Sequence, residues 1–418
     1  MSLMPWDAGA MNCKAMLGEF GTFDVENYGD LLYPVLLEKM FRKRGHTMDI
    51  RKFSLMGGGS VRDSGYPTWP VRQLFSSEPK QPYRLIVGGG DLLRTDWDVV
   101  ASHYSSIYRR ERQRSLPSRL RRLIRKCLGV PVDAISQFRD EHMNYPAVGP
   151  FIIDPVRCPG VTSVAYCSCG VPFPFAEAVQ SRVAGAFSRA SFVYVRDRQS
   201  RDALVNAGVE REIHVGPDFI VVLSDFLDPA TERNKGRSLL EQRGIDGRRR
   251  ILCVQTHPLP DEQTVELVKQ LRVYQNRTGA ETILLPVGWC HGDSEYLSRV
   301  AQLAEGAFKY LEIASVFEII SVLAASSTVI ATSLHCNVTA FSFGIPHLFA
   351  PTTVAKAAGF LDVANLSKDL KLNSWTEVNQ KLDLAAGLNS DYFISRASAA
   401  KGRVNEVFDL LIQSLAAP

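Results

Sequence analysis

The chain has 418 residues, 45% apolar and 22% charged; the composition is that of an ordinary globular protein, and the length exceeds one core and suits two or three domains. Its net charge of +4 is too small to imply a nucleic-acid partner. No run is continuously apolar over a membrane span: Ile319–Ala355 carries no charge but is broken throughout by Ser, Thr, Asn, His and Pro.

The first twenty residues lack a basic start followed by an apolar core, so no secretion signal is expected. Cys13–Leu17 reads as a first strand. Gly18–Asp30 (GEFGTFDVENYGD) reads as a loop, with Asp30 as N-cap of a helix running to Arg44. His46–Phe53 is the second strand. Two glycine runs follow, Met56–Ser60 and Gly88–Gly90, the second after a strand Leu85–Val87. There Gly89 and Gly90 either allow a ligand close to the backbone or serve a tight turn. Neither run matches a dinucleotide or P-loop pattern.

Tyr108–Leu128 holds eight Arg and one Lys against one Glu. Within it Leu120, Leu123, Ile124 and Leu128 form a helical stripe, with basic residues of Arg119–Lys126 opposite. Such a helix either docks on an anionic membrane or polyanion, or packs its stripe on the domain. Val161–Tyr166 (strand), Phe175–Phe187 (helix), Phe192–Arg196 (strand) and Gln199–Ala207 (helix) follow. Arg196 thus stands at a strand's C-terminal end. It pairs either with Asp197 or Asp202, or with an anionic ligand. Ile213–Asp218 closes this half.

Asp225–Arg250 is polar and reads as a linker. A second series follows: strand Ile251–Gln255, helix Asp261–Arg277, strand Thr282–Val287, a loop with Trp289, His291 and Asp293, a helix to Ala304, and helix Val316–Ala325. Thr328–Thr332 is a short buried strand, Cys336–Phe343 a helix closed by Gly344 and Pro346, and His347–Phe349 the next strand. Ser333 and His335 then lie between a strand's C-terminal end and a helix N-terminus, where open α/β sheets bind ligands and anions. His335 either caps or bonds in the core, or moves protons near neutral pH. The last helix, Ser398–Leu415, has Val404, Val407, Phe408, Leu411 and Leu415 on one face.

The eight cysteines are scattered, and without a CxxC pair or a His cluster no metal site is expected. A reducing cytosol fits best. The rhythm implies an α/β fold of two doubly wound, Rossmann-like domains facing a cleft. The expected limits are 1–230 with a basic insertion near 100–150, 231–395, and a C-terminal helix 396–418 packing back on the first domain.

Five blocks carry a family resemblance: GTFDVENYGDLLYPVLLEKMFRKRGH, VGGGDLL, YVRDRQSRDALVNAGV, HVGPD and VIATSLHCNVTAFSFGIP, over residues 20–350. In this order they resemble the polysaccharide pyruvyl transferase family. The resemblance implies a glycosyltransferase-B-like fold and transfer of a pyruvyl group from phosphoenolpyruvate to a sugar, lipid- or nucleotide-linked, giving a ketal. It implies no metal and no cofactor beyond that donor. It gives His335 the acid/base and phosphate-side role, Arg196 an anion-binding role, and Asn27 and Asp30 cleft contacts to donor or acceptor. The family often has an Arg where this chain has Ser333. Arg94 or Lys356 is then expected to compensate, or the donor differs. The expected place is the cytoplasm, with peripheral contact at the inner membrane face through Arg119–Lys126. The alternatives are a glycosyltransferase of the same fold using a nucleotide sugar, with Glu318 and Lys356 as contacts, and a non-catalytic carbohydrate-binding homologue.

Overall fold

A computed structural model describes residues 16–59, 66–75, 81–94, 97–104, 149–313, 315–351 and 356–416. The basic stretch Arg119–Lys126 lies outside the described residues. The first half alternates β1 (Met16–Phe20), α1 (Tyr28–Lys43), β2 (Ile50–Ser54), β3 (Trp69–Pro70), β4 (Tyr83–Gly88), α2 (Trp97–Tyr104), β5 (Val161–Cys169), α3 (Glu177–Ser188), β6 (Phe192–Val195), α4 (Arg198–Asn206) and β7 (His214–Val215). Its seven strands pair in parallel in the order β3-β2-β1-β4-β5-β6-β7.

The second half holds α5 (Pro229–Gln242), β8 (Ile251–Gln255), α6 (Asp261–Thr278), β9 (Glu281–Leu284), α7 (Asp293–Leu303), β10 (Lys309–Tyr310), α8 (Val316–Ala325), β11 (Thr328–Ala331), α9 (Leu334–Ser342) and β12 (His347–Phe349). Its five strands, also parallel, run β10-β9-β8-β11-β12. Helices α10 (Lys356–Val363), α11 (Val378–Gly387) and α12 (Ser390–Ala416) end the chain. Parallel strands are covered on both faces, so β8, β11 and β12 are buried at every residue.

Each sheet reverses its strand order once, between β1 and β4 and between β8 and β11. At such points neighbouring crossovers leave on opposite faces and open a crevice at the strands' C-terminal ends. Both crevices open on one cleft, and one apolar core runs through both halves. The start of α1 is fixed to the second half: the Tyr28 N–H donates to the Val287 carbonyl at 3.0 Å, and the Tyr28 hydroxyl lies 2.8 Å from that of Thr339. α12 returns to α1, where Phe408 packs edge-on to Phe41 with ring centroids 5.2 Å apart, and Arg44 bonds Asp409 and Asn405.

Several expectations need correction. β1 continues through Phe20, and α1 begins at Tyr28, so Asp30 is a first-turn residue and Asn27 holds the N-cap position. β2 begins at Ile50, four residues later than expected at His46. The expected linker contains α5, and α12 begins at Ser390. α10 and α11 were not foreseen.

Glu19 on β1 is fully buried beside Lys52 of β2. Burial, only partly offset by Lys52, pushes its carboxyl up to about 8 from an ordinary 4.5. The folded chain therefore binds a proton that the unfolded chain has released, and stability should fall as pH rises from about 5 to 8. Thermal unfolding across that range should show the slope, and Glu19→Gln should flatten it. An unchanged slope in the variant would count against a buried, protonated Glu19.

Candidate active site

The cleft has a volume of about 590 Å³, within the range of small-molecule sites. Thr22, Asn27, Asp30, Gly90, Asp91 and Arg196 line it from the first half, and Gln255, Asp293, Ser333, His335 and Lys356 from the second.

Asp218, just after β7, is fully buried. It accepts hydrogen bonds from the Tyr33 hydroxyl at 3.1 Å, the Ile220 N–H at 3.0 Å and Arg196 Nη1 at 3.4 Å. Nε2 of His335 stands 3.7 Å from its Oδ2. Burial works to raise the Asp218 pKa, but His335, then Arg196 and the Ile220 N–H, outweigh it and hold the carboxyl below its usual value. His335 is itself buried, with the Tyr33 ring edge-on at 6.1 Å.

Arg196 links this centre to a second carboxylate. Its Nη2 donates to Asp91, and Asp91 also pairs with Lys356. Burial opposes ionisation of Asp91, yet Arg196 and Lys356 push its pKa down to about 2. For Arg196, burial is likewise outweighed by Asp91 and Asp218, and its pKa is raised. Asp197 and Asp202, the partners expected from sequence, are not the ones used; Asp197 instead caps α4, accepting from the Ser200 N–H at 2.7 Å.

Asp30 accepts from Asn27 Nδ2 at 2.8 Å. Burial raises its pKa despite His335 and Asn27. Gly89 and Gly90 turn the chain after β4 with φ of +97° and +59°, where glycine alone has no steric penalty. Gly90 lines the cleft, whereas Gly89 packs against the Tyr33 ring. Ser333 is the N-cap of α9, accepting weakly from the Cys336 N–H at 3.4 Å. His335 is therefore the second residue of α9 and not part of the turn before it. Gln255 supports this turn: its Oε1 accepts from the Ser333 N–H at 2.8 Å, and its Nε2 donates to Asp293 at 2.7 Å. Burial pushes Asp293 up to about 6.

Of the residues expected to contact ligand, the structure brings Asn27, Asp30, Gly90, Arg196, Ser333, His335 and Lys356 together on one cleft. Glu318 is exposed on α8 and is not among the residues lining that cleft. The Arg94 side chain lies outside the described residues.

The sequence pattern described as polysaccharide pyruvyl transferase matches residues 27–351. No curated protein matches the chain in sequence. Among solved structures, a UDP-N-acetylglucosamine 2-epimerase from Rickettsia bellii superposes with a TM-score of 0.55 at 10% identity, covering 97% of each chain. A glycosyltransferase from Rickettsia africae gives 0.52 at 12% identity, covering 96% of this chain and 98% of its own. Anabaena HepE in complex with UDP and glucose gives 0.50 at 12% identity, covering 96% and 99%. These likenesses establish the glycosyltransferase-B-type fold: two Rossmann-like domains built on parallel sheets.

Sequence reading passed over Asp91, Asp218 and Gly29, although all three stand in the motif blocks VGGGDLL, HVGPD and NYGD. An Asp three residues past a strand's C-terminal end was the available signal. Gly29 had none, because its role is contact: a Cβ there would lie 1.6 Å from His335 Nδ1. Gly29→Ala should therefore displace the imidazole, cost about 1–3 kcal/mol in denaturant unfolding, and shift the His335 ring signals in NMR. Gly402→Ala, in α12 with open space around it, should stabilise by up to about 1 kcal/mol. Equal effects at the two positions would remove the contact argument.

Proposed function

The chain belongs to the polysaccharide pyruvyl transferase family, and from that premise we propose that it transfers the pyruvyl group of phosphoenolpyruvate to two hydroxyls of a sugar in a polysaccharide or its lipid- or nucleotide-linked precursor. The observation that carries this reading is His335, buried in the cleft with Nε2 facing the Asp218 carboxylate while Arg196 and Lys356 stand on the same network. A carboxylate behind an imidazole orients it for proton transfer, and the neighbouring cations suit a donor with a phosphate and a carboxylate.

In this reading the donor's anionic groups meet Lys356 and the N-terminal turn of α9, whose dipole favours negative charge. Lys356 is the most exposed cation of the network, with 37% of its side chain open. It can turn from Asp91 to an incoming anion, so it supplies the charge that Ser333 does not. His335 protonates the donor methylene carbon, leaving an oxocarbenium-like centre at C2. The first sugar hydroxyl adds there and releases its proton to a base, for which Asp30 and His335 are the cleft candidates. The C2–O bond to phosphate then breaks, the second hydroxyl adds, and its proton leaves with the phosphate. The products are a cyclic ketal bearing a methyl and a carboxylate, and inorganic phosphate.

No helix among the described residues is long and apolar enough to cross a membrane. A lipid-linked acceptor is the form that membrane contact through Arg119–Lys126 would serve.

The test is thermal unfolding with phosphoenolpyruvate, with UDP and with neither, followed by phosphate release with candidate acceptors. Phosphoenolpyruvate at about 100 times its dissociation constant should stabilise by roughly 2.7 kcal/mol, and Lys356→Ala should abolish that shift. His335→Ala should keep the fold and lower turnover by about 10²–10⁴. A shift with UDP alone would replace this reading by nucleotide-sugar transfer. No shift with either ligand would point to a non-catalytic homologue.

A further inference from the structure

The cleft wall carries a second cluster, formed by His103 at the end of α2 and by Cys290 and His291 in the turn Trp289–His291 before α7. The ligand atoms of these three residues all lie within 4.8 Å of one another. The two imidazoles stand nearly perpendicular, at 79°, with centroids 5.1 Å apart. Two imidazoles bound tetrahedrally to one zinc ion through nitrogens at about 2.0–2.1 Å would have centroids roughly 5 Å apart. A thiolate with two imidazoles is a borderline-soft donor set that suits zinc.

Both ligand-bearing segments are anchored on the loop that follows β1. The Tyr104 hydroxyl, next to His103, donates to Asp24 at 2.5 Å, and the Cys290 N–H donates to the Glu26 carbonyl at 3.0 Å. The turn is closed by the His291 N–H on the Gly288 carbonyl at 2.8 Å, and Asp293 holds the Gly288 N–H at 2.8 Å. Ligands held by fixed backbone lose little freedom on binding.

We propose that His103, Cys290 and His291 hold a divalent metal ion of the zinc class, which ties the two halves together at the cleft and turns its remaining coordination position towards it. Binding replaces the Cys290 thiol proton by the metal and releases that proton to solvent. The inference does not depend on which donor the cleft takes.

The experiment uses the full chain, stripped with a chelator and titrated with cobalt(II) chloride. A stoichiometric visible spectrum of tetrahedral type is expected, with a thiolate-to-cobalt charge-transfer band, displaced by zinc chloride. Cys290→Ser should remove the band. His103→Ala and His291→Ala should each weaken cobalt binding by more than the roughly 10–100-fold that losing an outer partner of a ligand costs. His103 is half-buried and His291 exposed, so these two variants serve if the buried Cys290 variant does not fold. Added azide should perturb the spectrum through the open position. Absence of stoichiometric binding by the unaltered chain, or a spectrum unchanged in all three variants, would overturn the site. A spectrum indifferent to azide would overturn the cleft-facing position.

Discussion

Asp218 carries charge with no exposed surface, and that requirement organises the centre of the molecule. A buried carboxylate stays ionised only while several donors face it. Tyr33 reaches it from α1, Arg196 from the end of β6, the Ile220 N–H from its own turn, and His335 from the second half. Removing one partner of a buried pair typically costs about 3–5 kcal/mol because the other charge is left alone. The mutual positions of α1, β6 and α9 are thus set by electrostatics as well as by packing. Arg196 extends the same constraint to Asp91, and Asp91 to Lys356.

This arrangement follows from two sheets that each reverse strand order once. The reversal at β1/β4 supplies Asn27, Asp30, Gly90 and Asp91, and the reversal at β8/β11 supplies Gln255, Ser333 and His335. Gly29 and Tyr33 then hold His335 in place by contact from α1. Under the proposed function, the proton-transferring His335 on one Rossmann-like half is oriented by carboxylate and cation on the other. The chemistry therefore depends on the two halves keeping their register, which the Tyr28–Val287 and Cys290–Glu26 backbone bonds enforce.

Much of the second half is legible in the sequence because buried parallel strands are short apolar runs with clear ends. Ile251–Gln255, His347–Phe349 and Val316–Ala325 stand where the residues place them. α5 was hidden because little of it is buried: only Glu232, Gly236 and Leu240 are, within a polar, charged stretch. Arg196 and His335 are legible as candidates because they follow strand ends. The partners of Arg196 are not, since Asp197 beside it is taken by the helix cap and the acceptors used are 105 and 22 residues away.

The sequence by itself determined the α/β alternation, the strand ends, and hence the side chains offered to a cleft, because hydrophobic period and turn residues report local burial and chain direction. It also carried the motif blocks of the family. Only the tertiary structure decided which of those side chains meet. In a parallel sheet each crossover separates neighbours by many residues, so the Asp91–Arg196–Asp218–His335 network, the Gly29 contact and the approach of His103 to the adjacent Cys290 and His291 have no spacing that a linear reading could detect.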